Sequence, residues 1–348
     1  MTLALVPYRL RAQRLVGPPL DSPAEVVGHL GAVQSQDHGT SLWSIGRRCE
    51  ATITEVEAAF AQGDFVRTHV LRPTWHHVLL DDLPDLLAVT TPRVRQQIVG
   101  SSRRMGVDEQ RLEAGTEVVA AAVRAHGPAT RAEVAEHLAD AGLEHDGTLL
   151  AHYVMNAELA GLIASGPMRG KQHTYLPLDL PEPRGTHDER LAWIARLYAR
   201  GHGPFDARDL AWWTTLTLTE ARRAVELAEL RLVEIDGQEL HTDGDAQSVE
   251  VPPALLLSNF DELISYTRDP ADLDRLGPGR ERIFRASGLL FLDGALAGSW
   301  TRTVRPETVE IDVEPVDPVG RAARSAIESE ATRFGRFLQR EPVLSVAS

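Results

Sequence analysis

The chain has 348 residues, of which 43% are hydrophobic, and this is enough for about two or three domains with a sizeable core. Its formal net charge of -14 argues against a polyanionic partner on average, because non-specific nucleic-acid affinity comes from cations that displace counterions. The single cysteine, Cys49, excludes an internal disulfide framework and a cysteine-based zinc cluster and predicts a reducing cytoplasm, while the apolar runs predict neither a signal peptide nor a membrane span.

The first well-signalled helix begins at Ser22-Pro23-Ala24-Glu25, which predicts a capping box with proline at the first helical position. Apolar spacing extends this predicted helix over residues 22 to 34, where it meets Gln34-Ser35-Gln36-Asp37. Residues i and i+2 point about 200° apart on a helix but share a face in an extended segment. If Gln34 and Gln36 act on one ligand, the helix must end by about Gln34. Otherwise the polar stretch is a solvated helix end.

The next residues predict a second helix and a pair of strands. Thr52 and Glu55 form a further capping-box pattern, and "DFVRTHVLRPTWHHVLL" predicts two strands that turn near Arg72-Pro73. His76 and His77 are adjacent on the second strand, so one ring should face inward and the other outward. We interpret residues 1 to 110 as a degenerate copy of the module that follows.

Two later segments echo each other, one from Ala125 and one from Gly201. Each contains His-Gly-Pro, a capping residue and a short helix, and each is part of the order helix, helix, helix, hairpin. This order is the plan of a winged helix-turn-helix. It predicts one such module at residues 111 to 180 and another at residues 181 to 245.

The last part of the chain changes character. "SGLLFLDGALAGSWTRTV" predicts two strands about Asp293-Gly294, "TVEIDVEP" predicts a third, and residues 319 to 339 predict a closing helix. Residues 246 to 348 are therefore interpreted as a small α+β domain. The predicted fold class is α+β, with tandem winged helix-turn-helix modules followed by a C-terminal β-rich domain and a closing helix.

Positive charge is concentrated locally despite the acidic total. Arginines cluster within the first 105 positions, and they predict a positive cleft there, because arginine forks well onto phosphate. The hairpin near Lys171 is basic, whereas the hairpin of the following module is acidic. Trp300 and Arg302 follow the Asp293-Gly294 turn, which is a candidate DNA probe, although Trp300 is equally consistent with a core position. The candidate DNA-binding residues are Arg11, Arg72, Arg93, Arg95, Arg103, Arg104, Arg169, Lys171 and Arg302.

The sequence contains none of the common spacings for metal or cofactor sites. No His, Asp or Glu set has the spacing of a zinc-binding helix, and neither a nucleophile elbow nor a phosphate-binding glycine loop is present. We therefore predict a protein that uses no metal and no cofactor.

Five stretches together resemble a known family. "RLRAQRL", "LGAVQSQD", "FVRTHVLRPTWHHV", "LLLSNFDELI" and "LFLDGALAGSW" occur in this order and are similar to the bacterial winged-helix DNA-binding family that contains the AlkZ-type and YcaQ-type DNA glycosylases. The resemblance covers nearly the whole chain. It implies tandem winged helices, excision of N7-alkylated purines, including those in interstrand crosslinks, and no metal or cofactor.

The resemblance also implies the catalytic residues. The family signature is two polar residues around one aliphatic residue, and Gln34 and Gln36 match the Gln-x-Gln of the AlkZ type, with Ser35 in the aliphatic position. An N7-alkylguanine is already cationic and leaves as a neutral base, so the enzyme needs only to position water and stabilise positive charge on the sugar. Amide oxygens can do both. Asp37 either acts as a base or caps the turn.

The function predicted from the sequence is a monofunctional DNA glycosylase that acts as a monomer on double-stranded DNA with alkylated purines. Two alternatives stay open. The first is a non-catalytic winged-helix DNA-binding protein, such as a transcriptional regulator, which would be expected to dimerise on a palindrome. The second is a protein that sequesters a reactive alkylating metabolite.

Overall fold

A computed structural model describes residues 3–143, 145–267 and 287–347 of the chain and shows a mixed α+β fold. The helices are α1 Val6–Ala12, α2 Pro23–Leu30, α3 His38–Cys49, α4 Ile53–Gln62, α5 Leu83–Arg104, α6 Glu109–His126, α7 Arg131–Asp140, α8 Gly147–Leu159, α9 His187–His202, α10 Ala207–Thr214, α11 Leu218–Ala228 and α12 Arg321–Leu338. Within the described ranges, no helix is long and apolar enough to cross a membrane.

The strands are short, and most of them lie in two sheets. They are β1 Val33–Gln34, β2 Val66–His69, β3 Trp75–Val78, β4 Ala129–Thr130, β5 Ile163–Arg169, β6 Gln172–Pro177, β7 Arg231–Ile235, β8 Gln238–Thr242, β9 Ala254–Ser258, β10 Gly288–Leu292, β11 Ala295–Val304, β12 Thr308–Pro315 and β13 Glu341–Val346. A short 3-10 turn, Glu262–Ile264, follows β9.

Local sequence signals set most helix starts. The capping box predicted at Thr52 is confirmed, and Thr130 and Thr217 form the same box. Each threonine hydroxyl accepts from the N–H of the third helical residue, and each threonine N–H donates to the carboxylate of that residue. The box predicted at Ser22 is only half present. Ser22 Oγ accepts from the Glu25 N–H at 3.1 Å, but the Glu25 carboxylate accepts from the N–H of Asp21 instead.

The helix predicted over residues 22 to 34 is shorter than expected. Helix α2 ends at Leu30 rather than at Gln34, because Gly31 has a φ of +76° and the chain then pairs with β3 as strand β1. Helix α9 fixes this end of α2. A Cβ added to Gly201 of α9 would lie 2.8 Å from the His29 carbonyl oxygen, so only glycine allows this close approach.

A six-stranded antiparallel sheet joins the first two predicted modules. Its strand order is β1-β3-β2-β5-β6-β4, and Arg67 of β2 pairs with Ser165 of β5. Hydrogen bonds therefore cross the boundary predicted at residue 110, and the division into two modules stays a prediction. The sheet also corrects the expectation for the two histidines. His76 and His77 are both 0% exposed, because β3 is an interior strand that is covered on both faces.

The C-terminal strands form a second sheet in the order β13-β12-β11-β10-β9, with β12 and β13 parallel. The hairpin predicted about Asp293-Gly294 and the closing helix, α12, are both confirmed. This sheet and α12 share a hydrophobic core with α2, α3 and α4. Trp43 of α3 joins them: its indole N–H donates to the Leu256 carbonyl at 2.8 Å, and its ring packs on Phe334.

The hairpin of the third module stands apart from both sheets. Strands β7 and β8 pair through the predicted Asp-Gly turn, in which Asp236 and Gly237 both have positive φ. Helix α6 begins the order of three helices and a hairpin that is predicted for residues 111 to 180, whereas the long helix α5 has no counterpart in the sequence-based predictions. Helix α5 carries Arg93, Arg95, Arg103 and Arg104.

Candidate active site

The Gln34–Asp37 segment connects α2 to α3: it leaves strand β1 at Gln34 and bends at Gln36 and Asp37. Gln34 pairs with His76 in the β1–β3 ladder, and the Ser35 N–H donates to the Trp75 carbonyl at 2.7 Å. Asp37 then caps α3, its carboxylate accepting from the Thr40 N–H at 3.1 Å. Helix α2 therefore ends before both glutamines, which is the condition stated above for the two side chains to share a face.

Side chains in this segment alternate as they do in a strand. Val33 and Ser35 are fully buried, Gln34 is half-buried and Gln36 is exposed. Among the described residues, the Gln36 side chain has no hydrogen-bond partner, so its amide is available to a ligand or to water. The alternation directs Gln34 and Gln36 to the same side.

Gln34 is held by groups from distant parts of the chain. Its backbone N–H donates to Glu262 Oε1 at 2.8 Å, and its side-chain Oε1 accepts from Arg72 Nη2 at 3.1 Å. The Arg72 guanidinium also lies 4.5 Å from the centre of the Trp212 ring and contacts His76 Nε2 at 3.2 Å. Arg72, a predicted DNA-binding residue, thus lies directly beside Gln34.

Ser35 lies in a buried polar network behind the two glutamines. Its hydroxyl is 2.9 Å from Ser41 Oγ and 3.0 Å from His77 Nε2, and Arg67 donates both to this hydroxyl and to the Ser35 carbonyl. Arg67 Nη1 also donates to Ser165 at 3.1 Å. Serine replaces the aliphatic residue of the family signature here, and its hydroxyl is satisfied by these partners.

The histidines around the segment are neutral at neutral pH. Burial lowers the pKa of His76 to about 3 and that of His38 to about 4, and it places the pKa of His77 well below its ordinary value. Arg67 keeps its charge, although burial lowers its pKa to about 10. No group of three or more His, Cys, Asp or Glu side chains in the described ranges is arranged to hold a metal ion.

Asp37 and Arg302 both lie near Gly39, at the start of α3. Gly39 lies under the Arg302 guanidinium, and a Cβ at that position would lie 2.9 Å from Arg302 Nη2. Burial lowers the pKa of Arg302, and the negative charge of Asp37 opposes that shift. Arg72 and Arg302 therefore flank the Gln34–Asp37 segment.

The structure brings the other candidate DNA-binding residues to separate places. Arg93, Arg95, Arg103 and Arg104 lie on α5, where Arg95 and Arg103 each lie 3.5 Å from a glutamate. Arg11 is on α1. Arg169 and Lys171 are exposed at the β5–β6 turn, and Arg169 donates to Glu133 at 2.7 Å. None of these seven side chains contacts Gln34, Gln36 or Asp37 among the described contacts.

Two predictions need correction: that the early arginines line a positive cleft, and that the Asp293-Gly294 turn is a candidate DNA probe. Part of the early arginine cluster is internal, because Arg9, Arg47 and Arg48 are buried against Asp209, Glu330 and Asp261 respectively. The Asp293-Gly294 turn is not free to probe DNA: a Cβ on Gly294 would contact Val6 at 2.8 Å, and the Asp293 N–H donates to Pro253. Trp300 is a core residue at 1% exposure.

Sequence reasoning missed the residues that hold the segment from behind. Glu262 lies in "LLLSNFDELI", and Arg67 lies in "FVRTHVLRPTWHHV", but neither stretch indicated a contact with Gln34 or Ser35. The only available signal was a pair of adjacent acids, Asp261 and Glu262, which follow the buried strand β9, Ala254–Ser258, after two intervening residues. Charged residues at the end of a buried strand must find partners inside the fold.

Comparison with known proteins identifies the family. The family model described as DNA glycosylase AlkZ-like matches residues 27–337. A solved structure, the Streptomyces sahachiroi DNA glycosylase AlkZ, has a similar fold, with a TM-score of 0.78, 20% sequence identity and 99% coverage of each chain. A search of curated proteins finds no match. Because the family match spans most of the sequence, this chain belongs to the AlkZ-like DNA glycosylase family.

Proposed function

We propose that this protein is a monofunctional DNA glycosylase that hydrolyses the N-glycosidic bond of N7-alkylated purines in double-stranded DNA, including those in interstrand crosslinks. The observation that carries the proposal is the alternating burial of the Gln34–Gln36 segment, in which Gln34 and Gln36 are accessible while Ser35 between them is buried and hydrogen-bonded. Family membership supports the reaction class.

In this proposal the two glutamines share one water. Gln36, which is exposed, orients the water toward the anomeric carbon, and Gln34, held by Arg72 and Glu262, accepts from the same water. The N7-alkylated base carries a positive charge and takes the electrons of the C–N bond as it leaves, so no general acid is required. The water oxygen forms the new bond to the anomeric carbon, and its proton passes to solvent. Asp37 caps α3 and adds negative charge beside the sugar.

The DNA-binding role is assigned by position. Arg72 and Arg302 flank the segment and would hold the phosphates next to the damaged nucleotide. Arg11, Arg169, Lys171 and the four arginines of α5 would contact the duplex further away. The repeated order of helices and hairpins supports tandem winged helices as the scaffold that carries these residues.

A direct assay tests the proposal. The purified protein is incubated with a duplex oligonucleotide that contains one N7-methylguanine, and abasic sites are measured by alkaline cleavage. The same duplex without protein gives the rate of spontaneous depurination, and a duplex with unmodified guanine controls for nucleases. We expect abasic sites to accumulate well above the spontaneous rate on the alkylated duplex alone.

Failure of excision would identify the non-catalytic alternative. If several N7-alkyl adducts are lost no faster than they are without protein, while the protein still binds duplex DNA, the chain is a DNA-binding member of the family and not an enzyme. Release of one strand from an N7-crosslinked duplex tests the crosslink part of the proposal separately.

A further inference from the structure

Two adjacent acids follow strand β9, and both are fully buried at 0% exposure. Asp261 is neutralised by an arginine, because both of its carboxylate oxygens accept from the Arg48 guanidinium at 2.9 Å. Glu262 accepts from uncharged donors instead: the Gln34 N–H at 2.8 Å and His202 Nε2 at 3.2 Å. The neighbours therefore have different electrostatic surroundings.

Glu262 is ionised in this position. Burial alone would raise the pKa of its carboxyl group, but the hydrogen bond from His202 and its electrostatic interaction, then the charge of Arg72 and the hydrogen bond from Gln34, together hold the pKa below its usual value. Burial lowers the pKa of His202, so the imidazole is a neutral donor. A negative charge thus lies one hydrogen bond behind Gln34, inside the protein.

A negative charge at this place favours the transition state of the proposed reaction. Hydrolysis of an N-glycosidic bond passes through a state in which the sugar carries positive charge, and the two glutamines of the segment are uncharged. Charges inside a protein are screened by salt much less than charges on its surface. A buried anion that is fixed to the backbone of Gln34 can therefore favour the cationic sugar without contacting it.

We propose that Glu262 is a positioning residue for glycosidic bond hydrolysis: its carboxylate fixes the backbone of Gln34, and its negative charge favours the cationic sugar of the transition state. This inference rests on the proposed function. Arg72 completes the arrangement from the other side by holding the Gln34 amide oxygen, so Gln34 is held at its backbone and at its side chain.

The variant Glu262→Gln separates charge from shape. Glutamine keeps an oxygen that can accept from the Gln34 N–H, but it removes the negative charge. We expect the single-turnover rate on N7-methylguanine at saturating protein to fall by about tenfold or more. This is less than the roughly 10² to 10³ for losing a group at the reacting atoms, because Glu262 acts through Gln34. Duplex affinity should stay within about threefold, since Glu262 is too deeply buried to contact DNA.

Asp261→Asn is the matched control, because Asp261 is the neighbouring residue and equally buried but does not contact the segment. This variant should lower the thermal midpoint, since Arg48 loses its ionised partner. The folded fraction should retain the wild-type excision rate. If the two variants lose rate in proportion to their loss of stability, Glu262 is merely structural and the proposal is overturned.

A binding measurement tests the charge without turnover. Two duplexes carry, in place of the damaged nucleotide, either a cationic pyrrolidine or a neutral tetrahydrofuran sugar analogue. We expect the wild-type protein to bind the pyrrolidine duplex about tenfold more tightly or better, and Glu262→Gln to lose most of that preference while Asp261→Asn keeps it. Equal preference in the wild type and Glu262→Gln would overturn the proposal.

The outcomes separate this inference from the proposed function. If the wild type excises N7-methylguanine and Glu262→Gln matches it in rate and in analogue preference, the inference fails and the function stands. If the wild type does not excise N7-methylguanine, the proposed function is wrong. If the wild type also binds the two analogue duplexes equally well, the inference about Glu262 is overturned too. If Glu262→Gln does not fold, the preference of the wild type for the pyrrolidine duplex is measured at increasing salt concentration. A preference that comes from a buried anion persists at higher salt, and loss of the preference there would contradict the proposal.

Discussion

Arg48 and Arg72 come from the same arginine-rich part of the sequence but have opposite surroundings. Arg48 is fully buried and forks onto Asp261, so its charge is neutralised inside the fold. Arg72 is half-buried, lies over the Trp212 ring and holds the Gln34 amide beside the exposed Gln36. A local excess of arginine therefore combines residues that stabilise the fold with residues that face a ligand, and only their partners distinguish the two groups.

The largest effect is expected from breaking the buried pair. Arg48→Met leaves Asp261 ionised without its partner and should lower the free energy of unfolding by about 3 to 5 kcal/mol. Urea unfolding measures this change. Arg223→Met is the control, because the Arg223–Asp188 pair is exposed and screened by solvent and should contribute little to the free energy of unfolding. Equal effects of the two substitutions would remove the distinction between the two arginine groups.

Acid pH should weaken the region around Gln34 before it weakens the Arg48–Asp261 pair. The folded pKa values of His76 and His38 are about 3 and about 4, below the unfolded value of about 6.5, so the unfolded state binds more protons between these values. The contribution of these histidines to the free energy of unfolding should be fully present above about pH 6.5. It should fall as the pH decreases, by about 1.4 kcal/mol per pH unit for each histidine that stays neutral in the folded protein.

Urea midpoints between pH 7 and pH 5 measure this slope, and His76→Gln should reduce it. The Arg48–Asp261 pair contributes little to the pH dependence in this range. The charge of Arg48 and the hydrogen bonds from Arg48, Ser44 and Leu263 outweigh the effect of burial and lower the pKa of Asp261. A midpoint that does not change with pH would contradict the neutral state of the buried histidines.

The smallest effect is expected from one phosphate contact. Arg302→Gln should weaken duplex binding by about tenfold or less and reduce the slope of log affinity against log salt by about 0.9, the value for one phosphate contact on B-DNA. Binding measured at several salt concentrations gives the slope. Arg305→Gln, which removes a neighbouring arginine that is paired with Glu310, is the control and should leave the slope unchanged. An identical slope for wild type and Arg302→Gln would exclude Arg302 from the DNA interface.

Local signals predicted much of this molecule. Capping threonines, the Asp-Gly turns and the closing helix depend on residues that are close in sequence. The helix predicted over residues 22 to 34 ends earlier, at Leu30, and the geometry of a shared face stated only what the Gln34–Gln36 segment needs if both amides act on one ligand. The partners of that segment depend on tertiary contacts. Gln34 and Glu262 are 228 positions apart, and no periodicity or spacing connects them.

The same limit explains the errors about burial. His76 and His77 alternate as predicted, but β1 and β2 pair with both edges of β3, and side chains cover both of its faces. Pairing and layering of this kind are tertiary properties. Arg9, Arg47 and Arg48 were likewise indistinguishable from surface arginines in sequence, because their acidic partners lie at least 200 positions away.

The most direct test of the account compares Gln36→Ala with Arg48→Met in single-turnover excision of N7-methylguanine, with the thermal midpoint measured for each. Gln36→Ala should reduce the rate by about 10² or more with almost no change in the midpoint, because an exposed amide contributes to the transition state and not to packing. Arg48→Met should lower the midpoint and leave the rate of the folded protein nearly intact. A Gln36→Ala variant that excises at the wild-type rate, or that loses activity only as it unfolds, would contradict the assignment of the Gln34–Gln36 segment as the active site.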